Sequence, residues 1–150
     1  MPSHSESRNL PFSAQQMYDL VADVANYPKF LPWTAAARIR TTREVAGGSV
    51  MDADLVISFK VFRERFTSRV SLFPEMKRID TEYLDGPFKH LQSRWEFEDR
   101  DSGCEVRFWV DFEFRNKVLR GAAGMFFNEA MQRIVRAFES RAIELYGESK

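Results

Sequence analysis

The stretch Tyr27-Pro28-Lys29-Phe30-Leu31-Pro32-Trp33 decides how this chain is read. Four of its seven residues are large and apolar or aromatic, and two are prolines. Proline fixes φ, removes a backbone donor and pushes the residue before it toward extended backbone, so the run is no helix interior. It is a short, kinked, sticky segment. Such a segment either plugs one end of a core or lines the mouth of an apolar cavity, and the choice between them is the functional question.

Upstream, Ser13 has the place of an N-cap, with Gln16 at the third helical position and Phe12 facing Met17 as a staple. The helix it opens runs to about Val24, with Met17, Leu20, Val21 and Val24 on one stripe. Residues 3–10 form a first, edge-like strand, and the proline-rich run follows the helix as a broken second one. Downstream the period changes to two. Met51, Ala53, Leu55, Ile57, Phe59 and Val61 alternate with Asp52, Asp54, Ser58 and Lys60. Phe62, Phe66, Val70 and Leu72 alternate with Arg63, Arg65, Thr67 and Arg69. Further strands are marked by Ile79, Thr81 and Tyr83, by Leu91, Ser93, Trp95 and Phe97, and by Val106, Phe108, Val110, Phe112 and Phe114. Residues 35–44 form another. Turn residues punctuate them at Gly47-Gly48, Pro74-Glu75, Asp85-Gly86-Pro87 and Asp101-Ser102-Gly103, so the strands pair as an antiparallel meander.

From Lys117 to Tyr146 the apolar residues return at helical spacing, through Leu119, Ala123, Phe126, Phe127, Ala130, Met131, Ile134, Val135, Phe138, Ala142 and Leu145. A helix of that length runs roughly 45 Å, whereas a ten-residue strand covers only about 33 Å, so it crosses a whole sheet. Gly121 and Gly124 weaken its first turns by about 1 kcal/mol each relative to Ala. The fold class is α+β: a curved antiparallel sheet of about six to seven strands wrapped around one long C-terminal helix, with two short helices after the first strand. A curved sheet around a helix encloses a cavity unless side chains fill it.

Composition narrows the function classes. At 150 residues the chain makes one domain, 1–150, with a sizeable core. Fourteen phenylalanines mean an unusually aromatic core or aromatics surrounding something. Lys+Arg and Asp+Glu balance at 22 each, which removes any global attraction for DNA. The single cysteine, Cys104, rules out an intrachain disulfide. No apolar run approaches the roughly 20 residues of a membrane span, and residues 1–8 resemble neither a signal peptide nor a basic presequence. The expected location is the cytoplasm, with peripheral contact at the inner membrane at most.

The order of elements resembles the helix-grip fold of START-like and birch-pollen-allergen-like proteins. Within that group it is similar to the polyketide cyclase/dehydrase family, and in particular to its coenzyme Q-binding branch. The carrying residues are Val21-Ala22-Asp23-Val24 with the Tyr27–Trp33 segment, then Asp85-Gly86-Pro87-Phe88 with Leu91 and Trp95. They continue through Asp111-Phe112-Glu113-Phe114 and close with Phe138-Glu139-Ser140-Arg141-Ala142 before Leu145-Tyr146-Gly147. Many family members have Cys after the segment's Trp; Thr34 stands here, so no role for a thiol carries over. The resemblance implies a non-catalytic lipid chaperone that holds a hydrophobic quinone and supports respiration. A sister branch resembles a ribosome-association toxin acting on the large ribosomal subunit.

Little in the sequence looks catalytic. His4 falls in a terminus expected to fray, and His90 has no partner histidine nearby, so no metal site is expected. Cys104 has no histidine beside it in sequence to make it a nucleophile. Gly121-Ala122-Ala123-Gly124 lacks the ending of a phosphate loop. Glu64 and Ser68 share by alternation the face of Phe66 and Val70. Either they meet a ligand head group, or a bulge or the sheet end lets Glu64 reach water. Arg94 and Arg107 fall on outer faces. Arg38, Arg40, Arg43, Lys60, Arg63, Arg65 and Arg69 form either a solvated outer face or a contact for anionic phospholipid or ribosomal RNA.

The leading expectation is a carrier for a ubiquinone-like lipid, held as cargo with no cofactor and no catalytic residue. Its cavity lining would be Phe30, Leu31 and Trp33 from the segment, then Leu55, Phe66, Val70, Tyr83, Leu91 and Trp95 from the middle strands. Phe108, Val110 and Phe112 of the last strand and Phe127, Met131 and Val135 of the helix would complete it. Read from the residues alone, that aromatic stripe is plain core as readily as ligand lining. The rivals are a ribosome-binding module, and a cyclase or dehydratase using Glu64 or Tyr83 as its acid or base.

Overall fold

A computed structural model describes residues 3–59 and 62–147, with the side chains of residues 59, 62, 119 and 122–127 outside the description. The strands are β1 (Ser3–Leu10), β2 (Thr34–Val45), β3 (Gly48–Phe59), β4 (Phe62–Phe73), β5 (Arg78–Asp85), β6 (Phe88–Arg100) and β7 (Gly103–Phe114). They form one antiparallel sheet in the order β1-β7-β6-β5-β4-β3-β2. The helices are α1 (Ala14–Ala22) and α2 (Lys117–Tyr146), and a 3₁₀ helix spans Val24–Lys29. This is the helix-grip arrangement, with the two short helices after the first strand and the long one last.

The N-terminal signals act as expected. The Ser13 side chain accepts from the Gln16 N–H at 3.0 Å and the Gln16 side chain accepts from the Ser13 N–H at 2.9 Å, closing a capping box. The helix ends sooner than the apolar stripe suggested. It stops at Ala22, the Asp23 N–H turns back to the Leu20 carbonyl, and Val24 begins the 3₁₀ turn instead. Pro28 is tolerated in that short helix, where few i→i−4 bonds exist to lose. Trp33 then takes φ 61°, a left-handed conformation that is rare for so large a residue. It swings the chain into β2, and the Trp33 carbonyl accepts from the Ser58 N–H of β3 at 2.8 Å.

His4 corrects one expectation. It lies in regular pairing opposite Val110, half-buried, and its ring nitrogen meets Glu6 at 2.7 Å. The terminus is held because β1 closes the free edge of β7 along eight residue pairs, from Ser3↔Asp111 to Leu10↔Cys104.

The sheet curves so tightly at one point that only glycine fits. Gly86 has φ +142°, and a Cβ there would stand 2.5 Å from the Phe66 Cβ. The turn between β5 and β6 thus presses onto β4, and Phe88 behind it meets Phe66, Phe112 and Phe114 ring to ring at 4.7–5.6 Å.

The core gathers between the sheet and α2. Met131, Val135, Phe138 and Ala142 are buried at helical spacing. Phe138 is the hub, with ring centroids 5.0 Å from Trp95, 5.4 Å from Tyr27 and 5.3 Å from Phe30. At Tyr27 and Phe30 the proline-rich segment therefore plugs the core. The Tyr27 hydroxyl donates to the Val21 carbonyl, and burial, with Asp23 nearby, pushes it above the usual range for tyrosine. No helix among the described residues is long and apolar enough to cross a membrane.

Candidate functional site

Strand pairing fixes which side chains share the concave face. One row runs Met51, Val70, Thr81, Ser93, Val110 and His4 across β3, β4, β5, β6, β7 and β1. Next to it, Ala53, Ser68 and Tyr83 pair across β3, β4 and β5, and Leu91 pairs with Phe112. Toward the opposite end, Ile79, Trp95 and Phe108 pair in line.

Filling is uneven along this face. Trp95, Phe97, Val106 and Phe108 are buried under α1 and the C-terminal half of α2. Leu55, Ile57, Tyr83, Leu91 and Phe114 pack against the core but stay half-buried, as do Ala130 and Ile134 of α2. This part of the apolar face is the less covered one.

The expected lining residues divide accordingly. Phe66, Val70, Trp95, Phe108, Val110, Phe112, Met131 and Val135 are buried. Phe30, Leu31, Trp33, Leu55, Tyr83 and Leu91 are half-buried. The side chain of Phe127 lies outside the described residues. Glu64 and Ser68 part company despite their shared face: Glu64 is exposed near the start of β4, while Ser68 is 2% exposed with its hydroxyl unpartnered. Glu64 pairs with Ile57 two positions from the end of β3, at the rim of the sheet.

The sequence reading missed a polar cluster on the inner face of β1. Arg8 donates to Glu6 at 2.5 Å and to Glu139 of α2 at 3.2 Å, and His4 meets Glu6 from the other side. Glu6, Arg8 and Glu139 edge a small cleft walled by Leu10, Met17, Trp95, Phe108, Val135 and Phe138. It spans about 270 Å³ including its opening to solvent and has room inside for about one water. Burial pushes the Glu6 carboxyl up, but the hydrogen bonds from Arg8 and His4 outweigh that and hold it below the usual carboxylate range. An ionised carboxylate so held is a poor proton donor. The cluster acts as a latch fastening α2 across the sheet edge. Its signal was present as His4, Glu6 and Arg8 at period two, but with no apolar face to say which side turned inward.

The remaining candidates are buried or paired. Cys104 is buried, and burial together with the Asp99 charge pushes its thiol up to about 11, so almost no thiolate exists at neutral pH. His90 meets Asp111 at 3.2 Å on the outer face. Arg94 pairs with Asp80, and Arg107 with Glu98 and Glu105. Among the described residues no group of histidine, cysteine and carboxylates stands close enough to hold a metal ion.

On the outer face of β2–β4 the basic group is partly neutralised. Arg69 pairs with Asp52 at 2.9 Å and Arg40 with Asp54 at 3.2 Å. Arg38, Arg63 and Arg65 are exposed and make no ion pair among the described residues, and Lys60 lies outside them.

Comparison with known proteins agrees with this architecture. Residues 10–139 match the family described as polyketide cyclase / dehydrase and lipid transport. The chain is 35% identical over 150 residues to ribosome association toxin RatA of Rickettsia prowazekii, covering 97% of this chain and 99% of that protein. It is 36% identical over 149 residues to the mitochondrial coenzyme Q-binding protein COQ10 homolog B of Xenopus laevis, covering 96% of this chain and 59% of that protein. The solution structure of an 18 kDa protein from Caulobacter crescentus superposes with a TM-score of 0.81 at 32% identity, covering 99% of this chain and all of that one.

Proposed function

The chain belongs to the polyketide cyclase/dehydrase and lipid-transport family, and from that premise we propose that it is a non-catalytic carrier of an isoprenoid quinone. The observation that carries the reading is the open part of the concave face, where the apolar residues Leu55, Leu91 and Phe114 stay half-buried. An isoprenoid tail laid there removes both its own surface and theirs from water, at about 25 cal/mol per Å² before association costs. A relative named for coenzyme Q binding supports a quinone as the cargo. Loading from a bilayer needs only transient contact. Of the two groups the cyclase reading would use, Glu64 is exposed at the sheet rim and Tyr83 is half-buried on the concave face, and neither is paired with a second acid or base among the described residues.

Native mass spectrometry of the protein purified gently from its own host, followed by organic extraction, tests this. The carrier reading expects an isoprenoid quinone approaching one per chain. A protein that emerges empty and takes up no decylubiquinone afterwards contradicts it.

One observation favours a second reading. The relative named as a ribosome association toxin matches along almost its whole length, and Arg38, Arg63 and Arg65 stand exposed on one outer face. A ribosome-binding module would use that face, with affinity falling steeply as salt rises. Under this reading, sedimentation with ribosomal subunits vanishes in an Arg63→Glu/Arg65→Glu variant and survives Leu91→Trp. Under the carrier reading, quinone retention shows the opposite pattern.

A further inference from the structure

The hydroxyl of Ser68 is the anomaly on the concave face. It is 2% exposed, in the middle of β4, and its oxygen has no hydrogen-bond partner. Burying a hydroxyl without a partner costs free energy, and native structures rarely keep one without a reason. The other such atom among the described residues, Nε of Arg120, belongs to a guanidinium already bonded elsewhere, to Glu113 and the Arg115 carbonyl.

Ser68 has company. Tyr83 pairs directly opposite it on β5, and the Tyr83 oxygen accepts from the Phe88 N–H at 3.3 Å, which leaves the phenolic proton to donate. Thr81, two residues along β5, pairs with Ser93 of β6 on the same face. Thr81 and Ser93 are half-buried, and neither makes a side-chain hydrogen bond among the described residues. Directly opposite residues stand about 4.5–5.5 Å apart at Cβ and diagonal ones about 7–8 Å, so Ser68, Thr81 and Ser93 step across one patch on three adjacent strands, and Tyr83 borders it with its hydroxyl at the Phe88 N–H. The walls around it are apolar: Val70 pairs with Thr81, and Phe66 and Phe112 are buried close by.

We propose that Ser68, Thr81, Tyr83 and Ser93 form the head-group site of this face, built for an uncharged ring bearing carbonyl or ether oxygens, such as a benzoquinone. This rests on the carrier reading and deepens it. Each hydroxyl can donate to such an oxygen, and Ser68 gains the partner it lacks. Among the described residues the patch holds no cation, so a carboxylate or phosphate head would lose its water with no charge to replace it. Glu64 takes no part.

The test compares decylubiquinone with decylbenzene, which keeps the tail and a ring but has no oxygens, and with dodecanoate, which has a charged head. Binding is measured by equilibrium dialysis with the wild-type protein and the near-isosteric Ser68→Ala/Thr81→Val variant, with thermal melting as the folding control. The site predicts about tenfold weaker decylubiquinone binding in the variant, decylbenzene within about twofold, and no loss of thermal stability. In the wild type it predicts decylubiquinone bound tighter than either of the other two. Unchanged decylubiquinone affinity, or an equal fall for decylubiquinone and decylbenzene, overturns it. Wild-type protein that binds decylbenzene or dodecanoate as tightly as decylubiquinone overturns the head-group site while leaving an apolar carrier standing. Wild-type protein that binds none of the three overturns both. Should the double variant not fold, Ser93→Ala at a half-buried position must give about a threefold selective loss, and no loss there overturns the site.

Discussion

The two ends of the concave face obey the same alternation and are finished differently. At one end Met17, Val21, Phe138 and Ala142 are almost completely buried, and the Glu6–Arg8–Glu139 chain fastens α2 over them. At the other, Leu55, Leu91 and Phe114 stay half-buried, on the same face as a buried hydroxyl with no partner. Both are apolar, but the first is the more completely covered. On the proposed carrier reading, stability belongs to the closed end and binding to the open one, and substitutions should separate the two properties.

The largest effect is expected at the hub. Phe138→Ala removes a ring that touches Trp95, Tyr27 and Phe30, and should cost about 3–5 kcal/mol in urea denaturation. A cost below about 1 kcal/mol would erase the distinction between the ends. Leu91→Trp enlarges a half-buried side chain on the open part of the face. It should keep stability within about 1 kcal/mol while lowering decylubiquinone binding at least tenfold; a loss of about 1–3 kcal/mol would mean that part is already full.

Breaking the latch sharpens the contrast from the polar side. Arg8→Met leaves Glu6 and Glu139 without their shared partner at a partly exposed edge, and should cost about 1–2 kcal/mol. It also removes an acid sensitivity. The folded Glu6 carboxyl titrates below its ordinary 4.5, so its contribution is complete above that pH and is lost as pH falls through the lower folded value. Melting temperatures from about pH 5 down to about pH 3 should fall less steeply in Arg8→Met than in wild type. The smallest effect is expected at Ser68→Ala, within about 0.5 kcal/mol or slightly stabilising, because it deletes an unpaired hydroxyl.

Most of the fold was legible because its signals are local. The capping box at Ser13, the period-two runs of β3 to β7 and the helical return from Lys117 each lie within a short window. The early stop of α1 was not legible, since Val24 continues the apolar stripe and only the Asp23 turn ends it. Nor was the docking of β1 on β7, a pairing across about a hundred residues of chain whose register alone turns His4, Glu6 and Arg8 inward.

The site was legible in part. Alternation put Glu64 and Ser68 on one face but carried no information about where coverage ends, and Glu64 stands at the rim. Thr81 and Ser93 were visible as members of strand patterns, but their placement near Ser68 and Tyr83 exists only once β4, β5 and β6 are in register. How completely the face is covered depends on side-chain packing, to which hydrophobic pattern is blind.

The measurement that tests the central claim most directly is a backbone amide NMR titration of the wild-type protein with decylubiquinone. Saturable shifts concentrated at Leu55, Ser68, Tyr83, Leu91 and Phe114, with Met17, Val21 and Ala142 unmoved, are the predicted result. Shifts centred on the closed end, or on the exposed face of Arg38, Arg63 and Arg65, or no saturable shifts at all, would contradict it.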